Sequence, residues 1–185
     1  MAVDKALNAV RFFKKLESIG VDVSVLKEKY GEKIENATFT PNGDFGNAYE
    51  GSFLEILLMT LTPFAVKMNE LFKEEKRVDK DSLVKVCLLH QIGKAIMMVP
   101  NDNEWEVSKL KKIFKYTEDN PSIKTGLMSV WMCQECGINL TMGEIEAMTA
   151  NDVDPSEPMY RYHSSTMANI IKAASSFTYC QLETK

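Results

Sequence analysis

An all-α helical bundle is the fold this sequence predicts, and three patterns predict it. Apolar residues recur at helical spacing near the start of the chain (Ala6, Leu7, Val10, Phe13, Leu16) and near its end (Met167, Ile170, Ile171, Ala174, Phe177). The stretch from Leu83 to Ile96 is apolar almost all round, which marks a central, buried helix. Strand-like alternation is confined to Glu104–Ser108 and Ile113–Thr117, so one small β-hairpin is the most sheet to expect.

The elements follow in order. Asp4 is placed to cap a first helix that stops at Gly20, and Ser24 to cap a short second helix ended by Gly31. Thr38 to Tyr49 is rich in Thr, Pro, Asn, Gly and Asp and reads as a surface loop. A long helix starts near Ser52 and is kinked or broken at Pro63. Asp81 and Ser82 open the central helix, and Pro100-Asn101-Asp102-Asn103 closes it. Asn120-Pro121-Ser122 begins a helix that ends at Gly137. Thr141 and Glu144 have capping-box spacing for the next one. Asn151 to Pro158 is a polar loop with two prolines, and a last helix runs from about Ser164 to Gln181.

With 185 residues the chain is long enough to bury a core as one domain. A net charge of −4 argues against nucleic acid as a partner. Lys109, Lys111, Lys112 and Lys115 form the one basic run, read as a solvated face. The apolar stretch Phe53–Phe72 is interrupted by Glu55, Pro63, Lys67 and Glu70, so no membrane span is expected. The opening residues read as an amphipathic helix rather than a signal peptide, which points to a cytoplasmic protein or one assembled from the cytoplasm. Cys133-Gln-Glu-Cys136 is a lone CxxC with no second pair and no preceding strand, so these cysteines read as free thiols rather than as a zinc or redox site.

The chemistry-bearing segment is Leu88-Leu89-His90-Gln91-Ile92-Gly93-Lys94. It resembles the motif of the HD superfamily of metal-dependent phosphohydrolases, in which His-Asp is followed by Ile-Gly-Lys. Tyr49-Glu50-Gly51-Ser52-Phe53-Leu54-Glu55-Ile56 is similar to the entry of the first metal-binding helix in bacterial stand-alone HD hydrolases and HD exoribonucleases, which usually read Tyr-x-Gly-Gly-Leu-Leu-Glu-His. Thr125-Gly126-Leu127-Met128-Ser129-Val130 resembles a segment that starts His-Gly. Leu140 to Asn151 resembles a helix that ends in His, and Ile170 to Ser175 a helix in which Ala-Asp supplies the last ligand. The resemblance implies a single HD-like domain over residues 1–185, with its core at about 45–181 and added N-terminal helices in 1–37.

At the matched ligand positions the chain carries Ile56, His90, Gln91, Thr125, Asn151 and Ser175. Of these only His90 is a strong donor. Ile56 has no lone pair, and the others are neutral oxygen donors that bring no anionic charge to offset dehydration of a cation. The expectation is therefore a degenerate HD domain with no catalytic residue, no metal and no cofactor. Such a domain would act by binding, as a regulatory or structural protein or a subunit of a larger assembly such as a phage particle. A metal-dependent phosphohydrolase acting on a nucleotide or nucleic acid is the alternative, with Asp152 as the nearest replacement carboxylate. A nucleotide sensor without hydrolysis is a third. Lys94, Arg161 and His163 are the candidate anion contacts, each also readable as ordinary helix-end or core chemistry.

Overall fold

Asp4 opens the first helix as expected, its carboxylate accepting the Leu7 N–H at 2.9 Å. In the computed structural model, which describes residues 4–43, 47–119, 122–152 and 164–183, this helix is α1 (Lys5–Ser18). Its buried face is Ala9, Phe12, Phe13 and Leu16, not the stripe predicted, because Leu7 and Val10 stay 42% and 49% exposed. The adjacent Phe12 and Phe13, edge to face with centroids 5.1 Å apart, set the face that packs. Helix α2 (Ser24–Asn36) passes through Gly31 instead of ending there. Leu26 and Ile34, both fully buried, anchor it on either side. Their burial outweighs the roughly 1 kcal/mol that an interior glycine costs a helix.

The helix from Ser52 is continuous through Pro63. It runs as α3 (Ser52–Ile56), a π-turn (Leu57–Leu61) and α4 (Thr62–Leu71). A proline lacks the N–H for a regular bond and clashes with the carbonyl four residues back. The wider turn just before it, in which Thr62 N–H reaches Leu57 O, accommodates the ring without a break. Helix α5 (Lys80–Leu89) is the central one, with Leu83, Val84, Val86, Cys87, Leu88 and Leu89 all buried. Asp79, rather than Asp81, caps it through the Ser82 N–H at 2.8 Å. It ends at His90 in a turn, followed by a short α6 (Lys94–Met97).

The small sheet exists, but its first strand lies earlier than predicted. Strand β1 (Met98–Pro100) pairs antiparallel with β2 (Phe114–Tyr116), with Val99 opposite Lys115. The predicted strand at 104–108 is instead helix α7 (Glu104–Leu110). Asn103 caps it by accepting the N–H groups of Trp105 and Glu106, and Glu104 and Glu106 favour its first turn. Helices α8 (Thr125–Glu135), α9 (Met142–Met148) and α10 (Thr166–Glu183) complete the bundle. The predicted capping box on α9 is present in both directions, between Thr141 and Glu144. The Glu144 carboxylate also takes Ser82 Oγ at 2.7 Å and Lys85 Nζ at 2.9 Å, which ties α9 to α5. On α10 the buried face is Ala168, Ile170, Ile171, Ala174, Ser175 and Thr178. Phe177 lies beside that face and stacks on Phe64. Among the described residues no helix is long and apolar enough to cross a membrane.

Candidate functional site

The turn after α5 carries His90, Gln91 and Gly93, and α6 opens with Lys94. Gly93 presses this turn onto the start of α8. A Cβ there would come within 2.9 Å of the Met128 Cβ and of the Thr125 carbonyl oxygen, so only hydrogen fits. The Gly93 N–H donates to Ser129 Oγ at 2.9 Å, and Ser129 Oγ donates to the Thr125 carbonyl at 2.8 Å. The His90 segment and Thr125 are thereby held side by side.

His90 is buried, with Nδ1 2.9 Å from the Cys87 carbonyl. A carbonyl only accepts, so Nδ1 carries the proton and Nε2 presents a lone pair. Among the described residues that Nε2 has no hydrogen-bond partner, nor has the buried Oε1 of Gln91. Burial pushes the His90 pKa down to about 4, and the positive charge of Lys94 adds to the shift. Lys94 is not the exposed helix-end cation that its sequence position allows; it is buried. Its ammonium donates to the Phe39 carbonyl at 2.8 Å, reaches Tyr179 Oη at 3.5 Å and lies 4.1 Å from the centroid of the Phe39 ring. Among the described residues no carboxylate pairs with it, and burial lowers its pKa to about 7.

Asn151 and Ser175 meet, the Asn151 amide donating to Ser175 Oγ at 2.9 Å. Thr125, Asn151 and Asp152 line one cleft of about 500 Å³ together with Met97, Thr117 and Lys124. The Asp152 carboxylate is already engaged there, because Oδ2 accepts the Leu127 N–H at 2.9 Å in the first turn of α8. Ile56 sits in the apolar core on α3. Arg161 and His163 lie outside the described residues. Thr125 and Asn151 thus share one cleft, Ser175 is buried against Asn151, and His90, Gln91 and Lys94 lie on the turn held against Thr125.

Comparison with protein-family models, with curated proteins and with solved structures finds no match for this chain.

Among the described residues no three His, Cys, Asp or Glu side chains gather closely enough to share a metal ion. Cys133 and Cys136 are buried, and burial pushes the Cys133 thiol up to about 12, far from a reactive thiolate. The residues that sequence reasoning missed are Phe39 and Tyr179, which act through fold contacts with Lys94 and have no motif of their own. Ser129 lies within the matched Thr125–Val130 segment but is not one of its ligand positions, and its role is the contact with Gly93. The lysine run at 109–115 is a solvated face, in which Lys115 pairs with Asp102 at 2.6 Å.

Proposed function

We propose that this chain is a catalytically inert HD-like domain that works by binding. The resemblance of its motifs supplies the family reading. The observation that carries the functional half is the Asn151–Ser175 hydrogen bond. Two positions equated with metal ligands meet as neutral groups that satisfy one another, and a third, Ile56, has no donor atom. Without a cation there is no source for a phosphorus-attacking hydroxide. The protein then acts through its surfaces, as a regulatory or structural partner of other proteins.

A second reading, a nucleotide sensor, is favoured by one observation. Among the described residues the buried Lys94 ammonium lacks an anion, while His90 Nε2 and Gln91 Oε1 nearby in the chain lack donors. One sample tests both readings. Elemental analysis of the purified protein is expected to find less than about a tenth of an equivalent of Mn, Fe, Zn or Ni. Close to one equivalent, together with hydrolysis of a generic phosphodiester, would overturn the inert reading. A rise in melting temperature with a nucleoside phosphate would favour the sensor, since a ligand specific for the folded state stabilises it.

A further inference from the structure

A groove of about 980 Å³ lies between α1, the α3–α4 helix and α5, and none of the candidate-site residues above lines it. Each helix gives it one face at helical spacing. From α1 come Arg11, Lys14, Lys15 and Ser18, at steps of three and four. Leu58, Met59, Pro63 and Val66 form the second wall, and Val84 and Leu88 of α5 form the floor. The rim holds five exposed cations, Arg11, Lys14, Lys15, Lys67 and Lys80, against one carboxylate, Glu70. None of the five makes an ion pair among the described residues. This concentration of positive charge stands on a chain whose net charge is −4. At its edge Met59 is 66% exposed, a flexible apolar side chain suited to repacking against a partner.

We propose that this groove docks an amphipathic helix of a protein partner, with an apolar stripe flanked by Asp and Glu. The inference rests on the reading that the chain acts by binding. Charge complementarity selects acidic flanks, and the accessible apolar wall of Leu58, Met59, Pro63 and Val66 selects an apolar stripe. The wall from Leu58 to Glu70 spans about 18 Å of helix, enough to seat roughly three turns. Other occupants fit less well. Nucleic acid would want aromatic side chains for base stacking, and the lining has none. Of the large apolar side chains in the lining only Met59 is exposed, too little apolar surface to enter a bilayer past the charged rim.

The test uses the full chain, isotope-labelled for NMR, and a designed helical peptide of about five turns with leucines at i, i+3, i+4 and i+7 and glutamates beside them. Binding is expected at about 10–100 µM, weakening several-fold between about 50 and 300 mM salt, with shifts centred on Met59, Val66, Lys67 and Val84. The triple variant Arg11→Glu/Lys14→Glu/Lys67→Glu should lose at least ten-fold in affinity while keeping its wild-type melting temperature, and Met59→Asp should do the same. No binding at about 1 mM peptide overturns the proposal. So does equal binding of a lysine-flanked peptide, binding that survives charge reversal, or capture by anionic vesicles in place of the peptide. The elemental analysis is independent of these outcomes. A metal-free protein that ignores the peptide sinks the groove alone, and a metal-loaded one sinks the inert reading whatever the peptide does.

Discussion

Lys94 gives the site its sharpest residue-level consequence. In the unfolded chain its amine keeps a proton up to the ordinary 10.5, whereas in the fold burial lets that proton go near 7. Between those values the unfolded state holds the extra proton, so raising the pH favours the fold. The cost of burying the charge is complete below 7 and gone above 10.5. His90 acts in the same direction lower down, between about 4 and its ordinary 6.5. Above about 8.5 the thiols of Cys87 and Cys133, both pushed up by burial, pull the other way, which leaves a clean window from about 7 to 8.5. In that window urea unfolding should show stability rising by up to about 1.4 kcal/mol per pH unit. Lys94→Met should flatten the rise, and an unchanged slope in that variant would contradict the assignment. None of this was legible in the sequence. The burial of Lys94 is made by Phe39 and Tyr179, 55 and 85 residues away, and helix periodicity alone leaves a lysine free to face solvent.

At the scale of elements, close approach of backbones decides the packing of α8. A Cβ on Gly126 would fall 2.4 Å from the Met148 carbonyl oxygen and 2.6 Å from Asp152 Oδ2. The carboxylate can swing aside, but the carbonyl belongs to the last turn of α9 and cannot. Gly126→Ala should therefore destabilise the fold by about 1–3 kcal/mol in denaturant titrations, with Gly143→Ala, where nothing lies within 4 Å, as the mild control. The elements best read from sequence are those defined locally. The Asp4 cap and the Thr141–Glu144 box are three-residue relations, and both are present. What failed was non-local. Strand β1 is three residues long, ends in Pro100 and gains its partner across α7, so no pattern within it announces a strand. The end of α2 was misplaced because a glycine punctuates a helix only where packing does not carry the chain past it. At the candidate site, Asn151 meets Ser175 and shares a cleft with Thr125, while Ile56 lies in the apolar core. The capping role of Asp152 needed the fold.

For the whole molecule, the N-terminal pair of helices is built into the common core. Phe12, Leu16, Leu26 and Ile34 are fully buried in the same cluster as Phe53, Leu83 and Ile170. Removing residues 1–37 would uncover the apolar faces of α3 and α5 at roughly 25 cal/mol per Å². The shortened chain is expected to lose its cooperative thermal transition by circular dichroism. A sharp melt in that fragment would mean the remaining helices close a core without them. The π-turn at Leu57–Leu61 has a longer reach than its size suggests. It holds one residue more than regular winding needs, and each residue rotates a helix by about 100°. That surplus sets the compass bearing of everything downstream, so a relative shortened by one residue there would aim its Val66 and Lys67 equivalents elsewhere. It could keep every cation in its sequence and still have no charged lip for an acidic helix to find.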